Sequence, residues 1–162
     1  MLNENAKAWV AALRSGEYEQ GQHVLHSESN RFCCLGVACD LAVKAGIIGN
    51  PLFNGDTSVP RFEYGDGMWG TVPEKVRLWL CLKTSAGWYR ANGDIALTSD
   101  NDDRNKTFLE IALTSDNDDR NKTFLEIADI IESEPDGLFM PEEPAAGAVQ
   151  EYSKLTKEEL GQ

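Results

Sequence analysis

The sequence predicts a small α+β domain, on three observations. Apolar residues recur at spacings of three and four over Asn5–Leu13, Leu35–Ala45 and Phe124–Ile131, the mark of helices with one buried face. Short apolar runs bounded by turn residues lie between them, at Val24–Leu25 with Phe32–Cys33 and at Trp88–Arg90 with Asp94–Leu97. At 162 residues, 41% of them hydrophobic, the chain can close one core without staples.

Each element follows from local chemistry. Asn5–Leu13 carries Trp9, Val10 and Leu13 on one face, and Gly16 stands where a left-handed stop belongs. Ser27–Asn30 is the turn of a first hairpin. Leu35, Ala38, Leu41, Ala42 and Ala45 line a second helix that Gly46 ends. Asn50–Gly70, rich in Gly, Pro, Asn and Asp, is expected as a long connection with one short strand at Arg61–Tyr64; ordered loops of that length are often functional. Thr71-Val72-Pro73-Glu74 reads as a capping box opening a helix with Val72, Val76, Trp79 and Leu80 on one side. Asn92-Gly93 is a hairpin turn, and Pro135-Asp136-Gly137 another turn. Residues 1–140 form the expected domain. Residues 141–162 are an acidic Pro/Ala/Glu-rich tail, expected to be mobile, with a weak polar helix at Val149–Leu160.

Ile95–Glu110 and Ile111–Glu126 are the same sixteen residues, IALTSDNDDRNKTFLE, in tandem. A solenoid needs three or more repeats to bury a continuous core, so two copies read as an insertion into a finished fold. The complete helical face, Phe124, Ile127, Ala128 and Ile131, belongs to the second copy, because Ser115 takes the fourth place in the first. Sixteen residues turn a helix through whole turns plus about 160°, so one straight helix over both copies would split its apolar face. Two segments are expected, capped by Ser99 and Ser115, with a break near Thr114–Asp118.

The net charge is −12, from 27 acidic and 15 basic residues. Such a surface repels nucleic-acid phosphates and suits a partner with a basic surface. No run reaches the roughly 18 apolar residues of a membrane span, and the amino terminus lacks a signal core. A cytoplasmic location, no membrane and reduced cysteines are expected.

The densest motif is Arg31-Phe32-Cys33-Cys34-Leu35-Gly36-Val37-Ala38-Cys39-Asp40-Leu41-Ala42. A thiol at a helix start is favoured as thiolate by the helix dipole, which makes Cys34 a candidate nucleophile. RFCCLGVACDLA, with WVAALRSGEYEQG before it and VPEKVRLWL and FLEIADIIE after it, resembles a family of small uncharacterised proteins of tailed bacteriophages and prophages. That resemblance covers Trp9 to Phe139 apart from one repeat copy. It implies an accessory protein in a bacterial host cytoplasm and transfers no catalytic residue. Cys34-Leu35-Gly36-Val37 is also weakly similar to the start of the nucleophile helix in NlpC/P60-type peptidases. Those enzymes carry the catalytic His downstream, whereas this chain has only His23 and His26, both upstream; a Cys34–His26 pair across the hairpin is the remaining arrangement. Packing is the plainer role for Cys33, Cys34 and Cys39.

Metal chemistry is not expected. Cys33, Cys39, His23 and His26 have no paired CxxC spacing for zinc. Read as an EF-hand from Ser99, the repeat fails at position 1, at position 6 (Arg104) and at position 8 (Lys106). No cofactor motif is present. Glu63, Tyr64, Trp69 and Trp88 are candidate small-molecule contacts, since aromatics beside a carboxylate suit a ligand pocket. Three functions follow: a non-catalytic phage-type accessory protein that binds a host protein or small molecule; a cysteine-dependent hydrolase or transferase using Cys34 with His26; and an engineered duplication testing how a fold absorbs an inserted helix.

Overall fold

Asparagine opens the first helix. Asn3 has extended backbone and its Oδ1 accepts the Ala6 N–H at 2.7 Å, so α1 runs Glu4–Arg14 with Trp9, Val10 and Leu13 buried. Gly16, at φ +74°, turns the chain away. The structure, a computed structural model, describes residues 2–90, 94–102 and 122–141.

Five short strands follow in one sheet: β1 (Glu19–Gln20), β2 (His26–Ser27), β3 (Arg31–Phe32), β4 (Leu52–Asn54) and β5 (Arg61–Glu63). Their order is β1-β3-β2-β5-β4, with β1 parallel to β3 and every other pair antiparallel. The predicted first hairpin is β2–β3, with Asn30 at φ 59° in its turn. Strand β4 was not legible as a strand: Leu52-Phe53-Asn54 is too short to show alternation, and its pairing with β5 spans a turn-rich loop. Helix α2 (Cys34–Lys44) follows β3, packs against α1, and ends before Gly46, at φ +72°.

Helix α3 (Glu74–Trp79) corrects the capping-box expectation. Thr71 does not cap it; Pro73 occupies the N-cap position and makes no side-chain cap bond. Proline disfavours helical backbone at Val72, so the helix starts two residues late, and Glu74 grips Arg77 at 2.6 and 2.7 Å instead. Strands β6 (Trp88–Arg90) and β7 (Asp94–Ala96) pair antiparallel as the predicted hairpin. The Asn92-Gly93 turn between them lies outside the described residues.

Two further helices complete the domain: α4 (Leu97–Asp102) and α5 (Phe124–Glu132). Ser99 is inside α4 rather than capping it, because Leu97 is buried and its N–H donates to the Gly87 carbonyl at 3.1 Å, which starts the helix where β7 ends. Helix α5 opens on a capping box the repeat also carries: Thr123 accepts the Glu126 N–H, and Glu126 accepts the Thr123 N–H. Phe124, Ile127, Ala128 and Ile131 are buried as the spacing predicts. The described fold thus joins the first half of copy one to the last part of copy two. The predicted break near Thr114–Asp118 and helix at Val149–Leu160 lie outside the described residues.

One core holds these pieces. Trp9 of α1, Leu35 and Val37 of α2, Tyr64, Val72, Leu80, Leu97, Ile127, Ile131 and Leu138 are all buried together. Helix α1 packs on α5, where Arg14 bridges Asp129 and Glu132. Among the described residues no helix is long and apolar enough to cross a membrane.

Candidate functional site

The RFCCLGVACDLA motif becomes a tight strand-to-helix junction. Cys33 stands at the N-cap of α2 and makes no side-chain cap bond there. The free helix end is served from a distance: Asn101 Oδ1, on α4, accepts the Cys34 N–H at 3.2 Å. Asn101 is fully buried, and its Nδ2 donates to the Gly21 carbonyl at 2.7 Å. Gln20 donates to Asn101 Oδ1 and to the Lys122 carbonyl, and accepts the Phe124 N–H. Asp100 accepts the Tyr89 hydroxyl at 2.6 Å. The repeat segment therefore supplies a polar lock between α2, β1, β6 and α5.

Gly36 explains the rest of the motif. A Cβ there would lie 1.7 Å from the Leu25 carbonyl oxygen, so only glycine lets α2 rest on that backbone. Trp9 Nε1 donates to the Cys34 carbonyl at 2.9 Å. The Cys34 thiol has no solvent exposure, and its Sγ donates to the Leu97 carbonyl at 3.5 Å. Burial pushes the neighbouring Cys39 thiol well above its ordinary pKa.

His26 does not serve Cys34. Its Nε2 faces Asn30 Oδ1 at 3.0 Å and its Nδ1 faces the Tyr64 hydroxyl at 3.2 Å. The neutral ring with its proton on Nε2 satisfies both neighbours, since Nε2 then donates to Asn30 and Nδ1 accepts from Tyr64. Phe32 and Phe62 sandwich the ring at 3.9 and 4.3 Å, each within 18° of parallel. Burial lowers the His26 pKa below 6.5. A base held between two phenyl rings, with both nitrogens engaged, is not placed to take a proton from Cys34.

Register makes His26 one rung of a ladder. Phe53, Phe62, His26 and Phe32 are cross-strand partners on β4, β5, β2 and β3. Tyr18 meets Phe32 edge-on at 5.3 Å. Burial falls along this row, from Phe32 and His26 inside to Phe53, which is 54% exposed at the outer strand. A sequence reading could have found the ladder only with the register in hand.

The sheet's opposite face carries the polar partners of the same strands. Arg61 bonds Glu63 at 3.1 Å, and Asn54 Nδ2 donates to Glu63 at 2.9 Å. The Arg61 guanidinium lies over the Trp69 ring, 4.3 Å from its centre. Of the four expected ligand contacts, the structure groups Glu63 and Trp69 around Arg61 and buries Tyr64 completely behind His26. Trp88 stands on β6 in the other sheet. The four do not line one pocket.

The two sheet edges differ. At β1, the Gln20 side chain is covered by the α4–α5 joint. At β4, among the described residues no strand pairs with the outer side. Leu52 (76% exposed) and Phe53 flank that edge on its two faces, with exposed Val59 and Trp69 nearby and acidic Asp56 and Asp66 in the adjoining loops. A cavity of about 210 Å³ beside β2 and β3 is lined by Gln20, Gly21, Gln22, Ser27, Ser29 and Arg31, but Arg31 is already paired with Glu19 at 2.6 Å. Among the described residues no cluster of three His, Cys, Asp or Glu side chains is arranged to hold a metal ion.

No curated protein and no solved structure matches the chain. The family model described as a domain of unknown function, DUF8296, matches residues 1–135. The chain belongs to the DUF8296 family.

Proposed function

We propose that the protein is a non-catalytic binding protein that takes an extended segment of a basic host protein along the open edge of β4. The observation that carries this reading is the edge itself. A strand with free backbone groups on its outer side is a template for another strand, and Leu52 and Phe53 would each be covered by alternate side chains of the added segment. Acidic Asp56 and Asp66 beside the edge, and the net charge of −12, favour a basic partner. The expected setting is the cytoplasm of a phage-infected bacterium, on the motif resemblance.

The cysteine-enzyme reading has less support, because Cys34 is sealed and His26 is committed to Asn30 and Tyr64. One comparison separates the two. Wild type, Phe53→Asp, Leu52→Asp and Cys34→Ala are immobilised and used to capture proteins from a bacterial lysate. The edge reading expects capture to fall at least tenfold for both edge variants and to persist for Cys34→Ala. Capture that survives both edge substitutions, or that depends on Cys34, contradicts it.

A further inference from the structure

The described part of the first copy makes specific contacts in the fold, and its sequence exists twice in the chain. Everything that Ile95–Asn101 contributes, IALTSDN, recurs unchanged as Ile111–Asn117. Those contributions are specific: Leu97 is fully buried and receives the Cys34 Sγ–H, Asp100 accepts from Tyr89, and Asn101 caps α2 and holds Gly21. The side chains of Leu113, Asp116 and Asn117 are chemically the same set at the same spacing. The residue before each copy is acidic in both cases, Asp94 or Glu110, at a position where β7 meets Arg90 through backbone pairing.

We infer that the chain has two registers, in which the seat of β7 and α4 is filled by either Ile95–Asn101 or Ile111–Asn117. The exchange moves the sixteen surplus residues. In the described register they lie between α4 and α5, where the Asp100 carbonyl already accepts the Lys122 N–H at 2.7 Å. In the other they lengthen the β6–β7 connection from three residues to nineteen, and the α4–α5 connection shrinks from twenty-one to five. One connection gains the sixteen residues that the other gives up, so their loop-closure costs largely offset. What distinguishes the registers is the Asn92-Gly93 turn, which favours the short hairpin, and the Asp94-for-Glu110 difference.

A third register, with copy one also supplying α5, is closed by chemistry. Phe108, Ile111 and Ala112 would replace Phe124, Ile127 and Ala128, but Ser115 would take the seat of Ile131, which is fully buried. Exchange is therefore confined to the β7–α4 seat, while α5 stays on copy two.

The test places a charge in that seat. Leu97→Asp, Leu113→Asp and the double variant are made in the full chain, and the folded fraction is read at 25 °C by tryptophan fluorescence and far-ultraviolet circular dichroism. Two registers predict that each single variant stays more than half folded, by seating the untouched copy, and that the double variant unfolds. Leu97→Asp unfolding as fully as the double variant, with Leu113→Asp unchanged, overturns the inference. A folded double variant also overturns it, because the seat would then not need its leucine.

Discussion

At the scale of single residues, the motif that looks most like chemistry is explained by packing. Gly36 is the sharpest case, since the contact its Cβ would make is with backbone, which cannot turn aside. Gly36→Ala should cost about 3 kcal/mol, read as a lower urea midpoint. An unchanged midpoint would mean that α2 does not rest on Leu25. His26 makes a separate statement about pH. Its folded pKa is lowered from 6.5 by burial, so below 6.5 the unfolded chain takes up a proton that the folded chain resists. Stability is therefore full above 6.5 and is lost as pH falls from there towards the folded value. Glu74 and Glu126, held below 4.5 by Arg77 and by Thr123, lose their contributions in a lower window. His26→Gln should flatten the slope of unfolding free energy between pH 6.5 and 5. A slope that persists in that variant would assign it to another group.

At the scale of elements, the joint between α4 and α5 is closed by direct bonds. The Asp100 carbonyl and the Lys122 N–H meet at 2.7 Å, and Gln20 holds both sides, bonding Asn101, Lys122 and Phe124. Deleting Ile111–Glu126 leaves one intact copy and shortens the α4–α5 connection from twenty-one residues to five. Shortening that connection should be worth on the order of 1 kcal/mol, so the thermal midpoint should stay level or rise by a few degrees. A midpoint that falls by more than that would mean the extra copy is part of the core. Each copy carries four acids and two bases, so the shortened chain keeps a net charge of −10.

At the scale of the whole molecule, much of the architecture was legible in the sequence and the site was not. Helices α1, α2 and α5 announce themselves through the spacing of their apolar residues, and α1 and α2 also through a terminal glycine, because those signals are local; Thr123, which caps α5, was missed. The β2–β3 and β6–β7 hairpins follow for the same reason. Strand β4 and the aromatic ladder were hidden, because both depend on which strands meet, and three residues carry no readable period. The same gap hides which of the candidate site residues meet. Glu63, Tyr64, Trp69 and Trp88, a carboxylate and three aromatics, do not line one pocket, and His26 is claimed by Asn30, Tyr64 and two phenyl rings, of which only the register brings Tyr64, Phe32 and Phe62 to it. Cys34 shows the limit from the other side: a helix start is visible in sequence, whereas its closure by Trp9, Leu97 and Asn101 is long-range. Among the described residues no strand pairs with the outer side of β4, and Leu52 and Phe53 are exposed beside it.

The most direct test of this account is alkylation of the native protein by iodoacetamide, followed peptide by peptide with mass spectrometry. Cys81 is the one partly exposed thiol among the four, while Cys33, Cys34 and Cys39 are buried. The account predicts that Cys81 labels first and that the peptide holding Cys33 and Cys34 stays unmodified until the protein is denatured. Rapid native labelling at Cys34, ahead of Cys81, would contradict it and return the molecule to cysteine chemistry.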